Sequence, residues 1–507
     1  MLAKVFTCAM VGLEGRVVEV EVDISLGLPA FTIVGLADKA VQESRERVRA
    51  AIRNCGCDFP MRRITVNLAP ADLKKEGPAY DLSIAMGILL SSGQISADLS
   101  KTALIGELSL DGGLRHTNGV LPMVGLAQQE GFAYAVVPEV NVKEATLVSG
   151  IEILPAPSLT QMVSHVRGED VITAIAGDTT PYLEDGETSF AVDMSAVKDQ
   201  EHAKRAMEVA AAGGHNLLMM GPPGSGKTLL ARSLPSILPR STPQEALEVT
   251  KIYSISGLLP SDAPLMSQRP FRAPHYTTSN AGLVGGRHFP RPGEVTLAHR
   301  GVLFLDELPE FGQSVLEVLR QPIEDKTVTI SRAQGRVTFP ANFMMVAAMN
   351  PCPCGNYGDP VKACTCSVGN VSRYQKRISG PLLDRIDIFV DVPRVDYDKL
   401  TSPDAVEGSA EVRRRVEAAR VLQRERFVGT NIQSNSDMGP SEVWNHCQLE
   451  EAAQRLAKTA MEQLHFSARA YHRTLKLART IAHLAGSEAV TVAYLAEAIQ
   501  YRQRELN

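Results

Sequence analysis

The chain has 507 residues, 44% of them apolar and 21% charged, with a net charge of −5. That length suggests about three domains, and the composition is that of a globular protein with ample core. The charge excludes a globally basic nucleic-acid binder, so any DNA contact has to come from a local basic surface. No apolar run reaches the roughly 18 residues that span a bilayer. The opening Met1-Leu2-Ala3-Lys4-Val5-Phe6 lacks the apolar core and cleavage site of a signal peptide, so a cytoplasmic location is expected.

From the start, Val17–Ile24 alternates Val or Ile with acids and reads as a strand, and Phe31–Val34 reads as a second across the Gly27-Leu28-Pro29 turn. Asp38 to Asn54 is an amphipathic helix with Val41, Val48 and Ile52 at helical spacing. Arg62 to Leu68 is another strand, and Asp81 to Leu90 is a helix apolar enough to be buried. Further βα alternation runs through Ile105, Val136-Val137 and Ile151–Leu154.

This front segment resembles the Lon-protease-type domain with the ribosomal-protein-S5-like fold. Lys75–Asp81 stands where that family has its nucleophile segment, and Ile105-Gly106-Glu107-Leu108 resembles its second conserved stretch. Ala79 replaces the serine, and Leu121 stands where the activating lysine would be, so peptide hydrolysis has no covalent route. The resemblance implies a Lon-like shell used for assembly or for binding DNA or protein. Lys74, Lys75, Arg62 and Arg63 could touch phosphates or simply be solvated. Residues about 171–195 are polar, acidic and turn-rich, a linker.

Gly221-Pro222-Pro223-Gly224-Ser225-Gly226-Lys227-Thr228 fits the phosphate-loop pattern at every fixed position. The apolar Leu217–Met220 leads in as a buried strand, and a helix-forming run beginning Leu229-Leu230-Ala231 leads out. Such a loop takes a nucleoside triphosphate, ATP, with Lys227 neutralising β- and γ-phosphate charge and Thr228 holding Mg²⁺. A second buried strand, Gly301–Leu305, ends on Asp306 and Glu307. Asp306 would organise the Mg²⁺ and Glu307 would polarise the attacking water. A third strand, Phe343–Met349, ends on Asn350.

These motifs resemble the AAA+ superfamily, in which an asparagine at the Asn350 position orients water near the γ-phosphate. Leu382-Leu383-Asp384-Arg385-Ile386-Asp387 resembles the segment that supplies an arginine finger to the neighbouring subunit. Arg385 in that role implies a homo-oligomeric ring, a hexamer; the alternative is an ion pair with Asp384 or Asp387. The tracts Arg272-Ala273-Pro274-His275, Leu283–Gly286, Pro290–Glu294 and Leu297–Arg300 are similar to the YifB/ComM family, in the magnesium-chelatase-like branch. The resemblance covers essentially the whole chain. It implies an α/β fold in three parts: a Lon-protease-like α+β domain (1–170), an AAA+ parallel-sheet core (196–395) and a helical lid (396–507).

Between the two nucleotide strands lies a long loop-like insertion, about Ser241 to Ala298, rich in Gly, Pro and Arg. After it comes a hairpin with Val328 and Ile330 on one arm, Val337 and Phe339 on the other, and Arg332–Arg336 at the tip. In related ring ATPases both elements project into the central pore. Arg287, Arg291, Lys326, Arg332 and Arg336 would then track a DNA backbone, unless they are ordinary solvated charges.

Of eight cysteines, Cys352, Cys354, Cys364 and Cys366 form two C-x-C pairs nine residues apart. Four thiolates around a short loop suit a tetrahedral structural Zn²⁺, although the C-x-C spacing is tighter than usual and reduced or redox-active thiols are the alternative. The tail is helical over Glu411–Arg426, Leu449–Leu464, Ser467–Ala485 and Thr491–Gln500, with Thr491 a candidate cap. Ser467-Ala468-Arg469-Ala470 resembles the sensor-2 segment, so Arg469 would reach a γ-phosphate, with Arg473 the competing choice.

The resemblance implies an ATP-driven motor on single-stranded or branched DNA. It would promote branch migration during recombination of incoming DNA in natural transformation, with recombination proteins as partners. A chelatase-like remodeller of a protein partner is the alternative reading, and Ala79 disfavours an ATP-dependent protease.

Overall fold

The computed structural model describes residues 2–178, 190–260, 263–286, 291–332, 335–395, 398, 406–464 and 466–502, without the side chains of 332 and 335. The chain divides into two compact units: Met1–Gly186 with Pro243–Ser267, and Glu187–Thr242 with Gln268–Asn507.

The first unit is built on an eight-stranded mixed sheet. Its spatial order is Ile175–Ala176, Glu152–Ala156, Tyr134–Pro138, Thr102–Leu104, Leu2–Val11, Glu14–Ser25, Arg63–Ala69, Ala30–Val34. Period-two patterning sets the faces: Val18, Val20 and Val22 are fully buried, while the acids between them face outward. The first strand, Leu2–Val11, pairs antiparallel with the second along its whole length. Its pattern is not legible as a strand because Thr7, Cys8 and Ala9 are all buried, which blurs the alternation. Helix Asp81–Ser91 is buried nearly all round. Its Gly87 admits close approach: a Cβ there would lie 2.6 Å from Val22 Cγ2.

In the segment expected to be a long loop, Pro243–Ser256 is instead a helix with Ala246, Val249, Ile252 and Tyr253 buried. It belongs to the first unit, where Ser254 Oγ donates to the buried carboxylate of Glu144. The Gly- and Pro-rich residues that follow masked its helical period. Lys75, a candidate phosphate contact, is fully buried with its ammonium on the Pro70 carbonyl, and Lys74 pairs with Glu76. Ala79 and Gly106, from the two Lon-like segments, are joined by a backbone hydrogen bond of 3.0 Å. Ala79 and Leu121 are both buried apolar side chains.

The second unit holds a five-stranded sheet in the order Phe271–Arg272, Val302–Leu305, Met344–Met349, Leu217–Met220, Ile388–Asp391, every pairing parallel. Val302–Leu305 and Met344–Met349 are buried at every position, as strands covered on both faces must be. Helices Ser409–Arg426, Pro440–His446, Glu451–Gln463, Ala468–Leu484 and Val492–Gln500 follow. Val416, Leu477, Ile481 and Leu495 share one continuous apolar core with Leu217, Val302, Val346 and Ile388 of the sheet. Each such side chain stabilises the fold by about 1.5–3 kcal/mol. Thr491 occupies the N-cap position of the last helix but makes no side-chain capping bond. No helix among the described residues is long and apolar enough to cross a membrane.

Candidate active site

All strands of the parallel sheet end at one edge, where α/β folds bind ligands. Leu217–Met220 delivers the phosphate loop to that edge, and Gly221 N–H donates to the Met349 carbonyl of the adjacent strand at 3.2 Å. Gly224 and Gly226 take φ of +76° and +92° with open space where a Cβ would stand, so the loop curls around a cradle that side chains would fill. Ser225 Oγ is buried there without a hydrogen-bond partner among the described residues. Lys227 donates to the carbonyls of Gly221 (2.7 Å) and Pro222 (2.9 Å) and to Asn350 Oδ1 (3.2 Å). Burial pushes its pKa down, against the opposing pull of Asp306 and Glu307.

Thr228 Oγ1 donates to Asp306 Oδ2 at 2.9 Å, joining the phosphate loop to the end of the neighbouring strand. Glu307 is exposed beside it in a left-handed conformation, φ 53°, its N–H on Asp306 Oδ1 at 3.0 Å. A non-glycine residue held there stores strain of order 1 kcal/mol or more, as functional sites commonly do. Lys227, Thr228, Asp306, Glu307 and Asn350 thus converge. The donor set fits a phosphate chain with its divalent cation: loop N–H groups and an ammonium for the anion, a hydroxyl and a carboxylate for the metal.

Arg385 and Arg469 do not join this group. Ile388–Asp391 runs parallel to Leu217–Met220 with Leu217 opposite Ile388 and Met220 opposite Asp391. Arg385 therefore precedes the amino end of its strand, whereas the phosphate loop follows the carboxyl end of its own. Four residues of strand, about 13 Å, separate the two edges. Arg385 is buried and donates to Glu324 Oε2 at 2.5 Å and to the Pro381 carbonyl; its Nε has no partner among the described residues. Arg469, in the first turn of helix Ala468–Leu484, donates to the other oxygen of Glu324. The alternative pairing of Arg385 with Asp384 or Asp387 is not what the structure contains.

Asp387 belongs to Arg473 instead, at 3.4 Å, and lies 3.5 Å from His215 Nδ1. Burial alone would raise its pKa, but Arg473, His215 and Lys476 hold the carboxyl well below the usual range. Asn216 ties this edge together: its side chain donates to the Arg385 carbonyl at 2.9 Å and accepts from Met345 N–H at 2.8 Å. A cavity of about 840 Å³ opens here, with Glu324, Lys326, Asp387, Arg469, Arg473 and Lys476 among its lining residues. Sequence reading missed Glu324, Asp387 and Asn216 as organisers. Nothing local marks Glu324, which meets Arg385 and Arg469 across 61 and 145 residues.

The basic loops are only partly as expected. Thr327–Arg332 and Gly335–Pro340 form the hairpin, with Val328, Ile330 and Phe339 buried. Arg336 is exposed near its tip. Arg291 is exposed on the short pairing of Gly285–Gly286 with Arg291–Pro292, and a Cβ on Gly285 would stand 3.0 Å from Ile330, so the two elements touch. Lys326 departs from its expected place: it ends a helix at the hairpin base and pairs with Asp437 at 3.7 Å, facing the cavity. Arg287 and the Arg332 side chain lie outside the described residues.

The Cys352, Cys354, Cys364 and Cys366 sulfurs all lie within 4.8 Å of one another. Three of the separations are 3.4, 3.7 and 3.6 Å. A tetrahedron with Zn–S of about 2.3 Å needs sulfurs about 3.8 Å apart, so the set fits one such ion. Backbone N–H groups of Asn356 and Thr365 lower the Cys354 thiol to about 5, whereas Cys364 and Cys366 are pushed up by desolvation and by the neighbouring sulfurs. The protein alone therefore favours one thiolate in the set, and a cation would be needed to hold four.

A phosphate loop, paired acids and an asparagine on one edge of a parallel sheet, with a helical lid packed on its core, define an AAA+ P-loop ATPase. Residues 193–400 match the family described as magnesium chelatase, subunit ChlI; residues 20–141 match subunit ChlI of Mg-chelatase; residues 406–502 match its C-terminal region. The chain is 42% identical over 509 residues to competence protein ComM of Haemophilus influenzae, covering 99% of this chain and 97% of that one. It is 41% identical over 505 residues to the uncharacterized protein YifB of Escherichia coli, with the same coverage. Over 171 residues, 30% of each chain, it is 25% identical to Lon protease 2 of Bacillus subtilis. The chain belongs to the YifB/ComM family of magnesium-chelatase-like AAA+ ATPases.

The Asp387–Arg473 pair should govern acid stability. Replacing Asp387 with Asn strands a buried guanidinium and should lower unfolding free energy by about 3 kcal/mol in urea titrations at neutral pH. Because the folded pKa of Asp387 is depressed, its contribution is complete above the unfolded value of about 3.9 and is lost as pH falls through the folded one. D387N should therefore show a shallower loss of stability below about pH 4 than the parent; parallel pH profiles would contradict this.

Proposed function

We propose that this protein is an ATP-driven ring motor, a hexamer, that moves DNA through its pore and promotes branch migration as incoming DNA is recombined. The observation that carries the reading is the split of the ATP machinery between opposite edges of one sheet. Lys227 and the N–H groups of Gly224, Ser225, Gly226 and Thr228 bind the phosphates, while Pro222 and Pro223 shape the turn and Gly221, its N–H on the Met349 carbonyl, anchors the loop to the sheet. Thr228 and Asp306 hold Mg²⁺, which neutralises charge between the phosphates. Glu307 takes a proton from the attacking water, and Asn350, already bonded to Lys227, orients that water.

Arg385 and Arg469 serve the nucleotide of the adjacent subunit. On docking they exchange Glu324 for the neighbour's γ-phosphate, an arginine effect worth about 10³–10⁵ in rate in known systems. Closure of that interface on ATP and its release on hydrolysis move the hairpin and the insertion. Arg291, Arg332, Arg336 and Arg287 contact the DNA backbone; Lys326 is held by Asp437 at the base and acts there as a structural tie. The four cysteines hold a structural Zn²⁺. The name of the Haemophilus relative supports a role in competence, and DNA and recombination proteins are the partners that follow from it.

Two inactive variants test the division of labour. Lys227→Ala should not bind ATP productively, and Arg385→Ala should bind but not turn over. Mixed in equal amounts and reassembled, they pair an intact phosphate loop with an intact arginine at about a quarter of interfaces, so ATP hydrolysis should return to about that fraction. No recovery would place Arg385 on its own subunit's nucleotide.

For DNA, the variant R332A/R336A should weaken binding to a four-way junction about tenfold and flatten its salt dependence by up to about two units of slope. Unchanged affinity and slope would remove the hairpin from the DNA path.

A further inference from the structure

The cysteine knuckle lies against the nucleotide site. Gly355 closes the first C-x-C turn, its N–H on the Cys352 carbonyl at 2.9 Å, and is buried with φ +79°. A Cβ at this position would stand 2.4 Å from Cδ and 2.7 Å from Cγ of Pro223 in the phosphate loop. No real Cβ tolerates that distance. Glycine is thus required twice, by the left-handed backbone and by the proline ring pressed onto it.

The knuckle is also tied to the strands on either side of the loop. It starts two residues after Asn350, which accepts from Lys227, and Gln375 Nε2 donates to the Pro351 carbonyl between them at 3.0 Å. At its far side Arg394 donates to Asp359 at 2.7 Å and to Asn356 at 3.1 Å. Arg394 lies just beyond Val392, whose N–H donates to Met220 at 2.7 Å, immediately before the phosphate loop. The buried Asn356 in turn donates to the Cys354 carbonyl at 3.2 Å. The loop 352–366 has little apolar core of its own: Val361 is 80% exposed, and only Cys352 is a buried apolar residue among the four cysteines. Its shape therefore depends on what joins the four sulfurs.

We infer that the knuckle, closed on its metal ion, is the wall against which the phosphate loop rests, so that metal occupancy sets the affinity for ATP. This rests on the Zn²⁺ reading above. Gly355 and the cysteines are positioning residues: Gly355 meets the loop at Pro223 and the cysteines act through it. An open knuckle removes the support behind Pro223 and leaves the loop free to sample conformations that do not bind, which weakens apparent affinity in proportion to the binding-competent fraction.

The full chain, loaded with Zn²⁺, provides the test, with ATP affinity from calorimetry and zinc content from elemental analysis. C364S/C366S should lose the zinc and raise the Kd for ATP about tenfold. Gly355→Ala should keep the zinc and still raise the Kd by a similar factor. Gly358→Ala, in the same loop with φ +75° but nothing within 4 Å of its Cβ, carries the same backbone strain without the contact and should bind both zinc and ATP like the parent. Wild-type ATP affinity in both G355A and C364S/C366S would overturn the inference, as would equal losses in G355A and G358A. Absence of zinc from the parent protein would instead defeat the metal reading, and the G355A/G358A comparison would then test the contact alone.

Discussion

A parallel sheet places every carboxyl end at one edge and every amino end at the other, and in this chain the four residues Leu217–Met220 separate the two. The phosphate loop can only leave from one edge; the segment that carries Arg385 can only enter at the other. Asn216 and Asp387 fix the second edge by hydrogen bonds to the flanking strands and to Arg385's own backbone. In this structure Arg385 therefore lies a strand's length from the phosphate loop of its own chain. Under the proposed function, a half-site at each edge makes assembly a condition of turnover and gives hydrolysis a mechanical consequence at the interface between subunits.

Glu324 gives this arrangement a resting state. Two guanidiniums share one carboxylate, each on a different oxygen, and under the proposed function both leave it for a neighbouring phosphate. Glu324 itself is about two-fifths exposed on its side chain, so the pairing is screened and exchangeable, unlike the buried Asp387–Arg473 pair beside it. The first is suited to being broken on each cycle, the second to holding the lid helix Ala468–Leu484 against the sheet.

Much of this was legible in the sequence because it is written in contiguous residues. The phosphate loop, the Asp306-Glu307 strand end, Asn350, the hairpin and the lid helices each carry a local pattern, a period or a fixed spacing, that tertiary packing did not override. What was not legible depends on the partner. Nothing around Glu324 says that it will meet Arg385 and Arg469, nothing around Gly355 says that a proline ring will lie on it, and Lys75 looks like any other exposed lysine until the fold buries it. Helix Pro243–Ser256 is hard to read for a different reason: a Gly- and Pro-rich stretch follows it and obscures its period, although Ala246, Val249, Ile252 and Tyr253 mark a buried face.

Under the proposed function, Arg385 and Arg469 complete the ATP site of the next subunit. Electron microscopy of the Glu307→Gln protein assembled with ATP measures this directly. The expected result is a closed ring in which both guanidiniums have left Glu324 and lie within hydrogen-bond distance, about 2.7–3.2 Å, of the neighbouring γ-phosphate. Both arginines still on Glu324 in a nucleotide-filled ring, far from every phosphate, would contradict it.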